Sequence, residues 1–268
     1  MPLAIVIAAW VTYRPNPKIT WIIALPFFVL AAMFTLDYNS IHLVAWYGGE
    51  ELPIKYRFAA TWAAREGPIL LWAAWMALLS IIWRNPLSGE NEESHLMRMR
   101  LMNGFALTLL LTAWILQPFK AAQSTGPGLN ELLQTDLMVI HPPLIFLAYS
   151  LCITLVTIAI SSLVTNSEGM KDRLIQVARP AFFVSTLGIG LGGLWAYLIL
   201  DWGGYWAWDP VETGSLLPWI CLIVLLHLRT KPGKTPEHIW AGIAMATGEI
   251  IGILNSDDFF YKNTFKIV

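Results

Sequence analysis

The sequence predicts an all-α polytopic membrane protein, a helical bundle of about seven to eight transmembrane helices with a tryptophan-rich loop on its outer face. Three observations carry this. Hydrophobic residues make up 56% of the 268 positions and charged residues 13%, whereas soluble domains are about 25% charged. Mean hydropathy is +0.58. The apolar residues gather into eight runs, at 2–13, 19–36, 62–83, 101–118, 142–163, 181–200, 213–228 and 239–254, with no soluble domain between them. We read the whole of 1–268 as one transmembrane domain.

The runs differ in strength. A span needs roughly 20 mainly apolar residues. The third to sixth meet this, the second and eighth are adequate, and the seventh is slightly short. The first has about 12 residues and reads as a truncated span, an interfacial helix or half of a hairpin. It lacks the basic start and small-residue cleavage site of a signal peptide. If all eight cross, 11 of the 17 Lys and Arg fall on one side. That side is the inner one by the positive-inside rule. The inner loops, such as NPLSGENEESH and TNSEGMKD, are ordinary charged turns. His95 and His238 lie in them and read as solvated.

Two cysteines exclude a disulfide scaffold. Both, Cys152 and Cys221, sit in apolar runs and read as small buried hydrophobes. A net charge of -1 argues against nucleic-acid binding.

The outer loops are unusual. Residues 201–212 read DWGGYWAWDPVE, with Trp202, Trp206, Trp208 and Tyr205, three acids and no base. An aromatic belt at the headgroup level is the bland explanation. Belt residues scatter around helix ends, whereas these alternate with glycines in a short connection. A cluster of indoles suits a large, flat, apolar ligand. Asp209 before Pro210 fits an N-cap followed by proline at the first helical position. Glu212 then falls where it completes a capping box.

Two of the five histidines stand apart. His141 precedes Pro142 and Pro143 at the expected outer mouth of the fifth span, where the prolines stiffen the helix start. Neutral imidazole is a good axial ligand for haem iron. His227 lies within the seventh run, in CLIVLLHLR, and an ionisable group in a span is a functional candidate. Snorkelling beside Arg229 is the alternative. His42, in the first outer loop, is a weaker candidate.

The motif WGGYWAWDPVE resembles the tryptophan-rich signature (the WWD motif) of the haem-handling proteins of cytochrome c assembly. Two further segments, LPIKYRFAATWAAREGPILLW at 52–72 and LNELLQTDLMVIHPPLIFLAY at 129–149, single out the F subunit of the maturation system, the membrane core of the cytochrome c haem lyase. The likeness covers about residues 19–250. The resemblance implies a subunit that holds haem at the outer membrane face. It takes haem from a haem chaperone for thioether attachment to the CXXCH thiols of apocytochrome c. It implies that His141 ligates this substrate haem over the tryptophan-rich loop. His227 is then one of a transmembrane pair holding a b-type haem.

The family's second histidine of each kind is absent here. The resemblance therefore implies the N-terminal piece of a split lyase, inactive alone. Its partner would be the C-terminal part supplying further histidines. Thiol-reducing and apocytochrome-binding subunits complete the system, since neither cysteine forms a CXXC pair. The location implied is a bacterial or archaeal cell membrane, or the mitochondrial inner membrane. The active face would be periplasmic, extracytoplasmic or towards the intermembrane space. No catalytic side chain is expected. Arg57 and Arg65 are outer-side bases suited to haem propionates, or to pairing with Glu50, Glu51 or Glu66. Rival readings are the haem-delivering C subunit of the same system and a structural or transport subunit of a membrane complex.

Overall fold

The computed structural model describes residues 1–199, 204–208, 210–228 and 236–254. Among these the secondary structure is helical apart from one isolated bridge between Ile41 and Ala121. Four helical segments of the described residues are long and apolar enough to cross a membrane: Pro17–Thr35, Glu92–Leu116, Asp136–Val164 and Met170–Ile199. Shorter apolar helices are Pro2–Tyr13, Glu66–Ile82 and Val211–His227. Two compact units are distinguished. One contains Met1–Arg84 and Met99–Phe146; the other contains Asn85–Arg98 and the described part of Leu147–Val268.

In the first unit, α1 (Pro2–Tyr13) leads into α2 (Pro17–Thr20). Asn16 caps α2, accepting from the Lys18 N–H at 3.1 Å, with Pro17 at the first helical position. A 3-10 turn, Trp21–Ala24, then joins α2 to α3 (Leu25–Thr35). Pro26 explains this turn. It has no N–H to offer the Ile22 carbonyl, and the Leu25 N–H takes that carbonyl instead. Two short helices follow, α4 (His42–Tyr47) and α5 (Ile54–Ala60), and then α6 (Glu66–Ile82). Gly67 is required at the start of α6, because a Cβ there would lie 1.6 Å from the Thr61 carbonyl oxygen. The helix α7 (Glu92–Leu116) carries Asn103, fully buried in this unit. Its amide donates to Val11 O of α1 at 3.1 Å and accepts from Ser80 Oγ of α6 at 3.0 Å. A buried amide satisfied on both sides fixes the register of three helices.

In the second unit, α9 (Met170–Ile199) packs against α10 (Pro210–His227) and α11 (Glu237–Leu254), and α10 against α11. Trp219 of α10 stacks on Phe182 at 5.6 Å, and its indole donates to Thr186 Oγ1 at 2.9 Å. Gly248 of α11 lets the backbone approach α8 (Asp136–Val164), since a Cβ would meet Val156 at 2.4 Å.

Several helices begin well before their apolar runs. The run expected at 101–118 belongs to a helix that starts at Glu92, and that at 181–200 to one that starts at Met170. Segments such as ESHLMRMR and MKDRLIQVAR are polar but rich in good helix formers, so the helix continues where the hydrocarbon pattern stops.

Candidate functional site

His141 lies inside α8, not at its start. The helix begins at Asp136, behind Thr135, whose hydroxyl accepts from the Met138 N–H at 3.2 Å. Pro142 and Pro143 therefore fall within the second turn. This differs from the expected helix start at Pro142, and the reason is local. A proline inside a helix deprives the carbonyl four residues earlier of its partner. For Pro142 that carbonyl belongs to Met138. The buried indole of Trp62 supplies the missing donor, with Nε1 2.8 Å from Met138 O. On the other side of His141, the Trp75 indole donates to Pro143 O at 3.1 Å. His141 is half-buried, between two carbonyls held by indoles. These tryptophans were missed in the sequence reading. For Trp62 the signal was Pro142, which implies an outside donor for Met138 O; nothing local signals Trp75.

The segments at 40–46 and 120–128 of the same unit are zipped together. His42 N–H donates to Lys120 O at 2.8 Å, Ala122 N–H to Ser40 O at 2.9 Å, Gly126 N–H to Ala45 O at 2.9 Å and Gly128 N–H to Trp46 O at 3.1 Å. The His42 ring lies 5.5 Å from Trp46. Arg57 spends donors on backbone carbonyls of its own loop, Leu52 O at 2.8 Å and Glu50 O. Arg65 lies 3.9 Å from Glu66. Lys55 bonds to Asp136 at the start of α8, and Tyr56 OH lies 3.4 Å from the same carboxylate. That hydrogen bond raises the Lys55 pKa above its ordinary value.

In the second unit, residues 204–208 of the aromatic loop are described; Trp202 and Asp209 lie outside the described residues. Trp206 and Trp208 meet edge to face, with ring centroids 6.1 Å apart. Trp208 is 70% exposed and has φ +58°. A left-handed backbone costs an ordinary residue about 1–2 kcal/mol, so its surroundings hold this tryptophan in place. One holder is Glu212, at the third position of α10, whose Oε2 accepts from the Ala207 N–H at 2.8 Å. The capping-box residue thus reaches further back than the expected N-cap, onto the loop itself. Another is Tyr205, whose hydroxyl donates to Gly190 O. Its ring fills a notch where a Cβ on Gly193 would lie 2.7 Å from Tyr205 Cε1.

His227 is the last residue of α10 and is exposed. Its Nδ1 lies 2.8 Å from Ile223 O. A carbonyl only accepts, so Nδ1 carries the proton of that bond.

His95 does not behave as a solvated loop residue. It lies beside Arg98 (3.0 Å) and Glu90 (3.5 Å). Arg98 is fully buried and grips Glu90 through two bonds of 2.8 and 2.9 Å. The Glu90 carboxyl is disfavoured as an ion by burial, but Arg98 outweighs this and holds it below the usual range. Arg173, also fully buried, donates to Gly89 O at 3.0 Å, Glu168 O at 2.6 Å and Ser162 Oγ at 2.9 Å. The turn expected to be ordinary is a stapled, desolvated structure.

The family described as "Cytochrome C assembly protein" matches residues 62–256. The chain belongs to the cytochrome c assembly family. Among curated members, the cytochrome c-type biogenesis protein CcmF of Escherichia coli is 36% identical over 214 residues, 75% of this chain and 32% of that protein. NrfE of Haemophilus influenzae, also a cytochrome c-type biogenesis protein, is 31% identical over 210 residues, 74% of this chain and 32% of that protein. The chain thus spans about a third of the length of these relatives. A solved structure titled cytochrome c heme lyase CcmF shares the fold, with a TM-score of 0.68 over 92% of this chain and 43% of that one, at 20% identity. Family membership and the long apolar helices make this a membrane protein of cytochrome c biogenesis. Among the described residues no group of three or more His, Cys, Asp or Glu comes together to hold a bare metal ion. Haem brings its own porphyrin nitrogens and asks the protein for axial ligands alone, which single histidines supply.

Proposed function

We propose that this chain is a membrane subunit of a cytochrome c haem lyase, of the F type, that holds substrate haem for attachment to apocytochrome c. His141 is an axial ligand to the substrate iron. Trp202, Trp206 and Trp208, with Asp209, are the porphyrin's contacts from the tryptophan-rich loop, which Glu212 ties to the start of α10. Arg65, and Arg57 through the donors its loop leaves over, neutralise propionates. The observation that most supports this is the half-buried position of His141 in a turn whose Met138 and Pro143 carbonyls are held by outside indoles.

In the reaction, each cysteine S–H of the CXXCH motif adds across a haem vinyl C=C. The sulfur joins one carbon and the proton the other, so nothing leaves. No catalytic side chain is then needed. The subunit positions the vinyls and ligates the iron, which is a proximity effect. A haem chaperone supplies the haem, and thiol-reducing and apocytochrome-binding subunits present the peptide. His227, with a histidine from a partner chain, fits a resident b-type haem, which would supply electrons to keep the substrate iron reduced. The outer face, periplasmic or equivalent, is where this occurs.

The test is His141→Ala in the whole assembly. Haem retained from the chaperone and covalent cytochrome c both fall to background, while the helical circular dichroism is unchanged. Normal cytochrome c yield from that variant would remove His141 from the site.

A further inference from the structure

We propose that Trp62 is a positioning residue for His141, acting through the carbonyl that Pro142 leaves without a partner. The inference rests on His141 being the iron ligand. Pro142 has no N–H for Met138 O, and Trp62 Nε1 occupies that oxygen at 2.8 Å from a buried position. Met138 lies three residues before His141, almost one helical turn. The geometry of that turn, and with it the direction of the imidazole, depends on where the carbonyl is pinned. Trp62 is itself fixed. Its ring meets Phe58 edge to face at 5.1 Å, and the next helix starts against its chain through the Gly67–Thr61 contact. Two residues beyond His141 the Trp75 indole donates to Pro143 O, a carbonyl to which the prolines leave its own helical donor. The proline-broken bond is thus replaced by one side-chain donor from outside the helix, Trp62. A regular helical ladder would hold the turn but would not tie it to residue 62.

The arrangement predicts a specific rescue. Trp62→Phe keeps the ring and removes the N–H. Pro142→Ala restores a main-chain N–H that takes Met138 O by the ordinary helical bond. The full lyase assembly carrying each variant is titrated with ferric haem, and axial ligation is read by electron paramagnetic resonance.

We expect Trp62→Phe to weaken haem binding about tenfold and shift the iron from low to high spin, as expected when a buried acceptor loses its donor. The double variant Trp62→Phe/Pro142→Ala should bind about as tightly as Pro142→Ala alone, with the low-spin signal restored. A packing role for the indole would not be rescued in this way. Wild-type ligation in Trp62→Phe, with ligation lost in His141→Ala, overturns the inference and leaves His141 as ligand. A double variant no better than Trp62→Phe also overturns it. Unchanged ligation in His141→Ala overturns both the inference and the proposed function beneath it.

Discussion

Single residues hold this protein at points where the backbone has no partner of its own. Asn103 is the plainest case, because its buried amide serves both Val11 O and Ser80 Oγ. Asn103→Ala should cost about 1–3 kcal/mol, the penalty of stranding a buried polar group, measured by thermal unfolding in detergent. Glu90→Gln should cost more, about 3–5 kcal/mol, because it leaves the buried Arg98 without its counter-charge. Glu90 also gives a pH dependence. Its carboxyl is held below the usual range in the fold. Its contribution is therefore complete above the unfolded value and is lost as pH falls through the lower folded one. Stability should be flat near neutrality and decline on acidification below the ordinary carboxylate range. Glu90→Gln should flatten that acid limb. By contrast Lys55→Gln breaks an exposed pair and should leave the unfolding temperature unchanged.

Elements were legible to different degrees. Among the described residues the apolar runs fall largely on helical segments, that at 19–36 across two helices and the 3-10 turn between them. Their ends were not legible. Hydropathy does not register the charged turns of α7 and α9, which are helical by propensity and by the staples around Arg98 and Arg173. The same limit applied to His141. Its identity as a candidate came from the HPP sequence, but Trp62, 76 positions away from Met138, is beyond any local pattern. Tyr205 was visible as an aromatic among tryptophans, whereas the notch that receives it is made by Gly193 on another helix. Gly193→Val should force Tyr205 out and release the strain held at Trp208. Tryptophan fluorescence should then shift and become more quenchable by iodide, with α9 still helical by circular dichroism. An unchanged quenching profile would mean that the loop is fixed elsewhere.

At the scale of the whole molecule, the chain corresponds to about a third of its curated relatives, and our reading gives it one outer and one intramembrane iron ligand. The whole lyase assembly mixed with haem-loaded chaperone and reduced apocytochrome c should therefore lose its covalent product when both His141 and His227 are replaced by Ala. Haem-stained electrophoresis checks this, and undiminished product from that double variant would overturn the reading.

The buried arginines also bear on the chain's biosynthesis. Arg98 and Arg173 contribute to the excess of positive charge by which the loops of this sequence are read as inner. In the finished protein both are sealed from solvent, one against Glu90 and the other beneath a ring of main-chain and serine oxygens. A membrane surface or an insertion machine can sense them only while the nascent segment is still open. Their influence on orientation is spent during synthesis, before the staple closes. Afterwards the same two guanidinium groups, hidden from the headgroups, act as a lock that makes a later inversion of these helices require unfolding first.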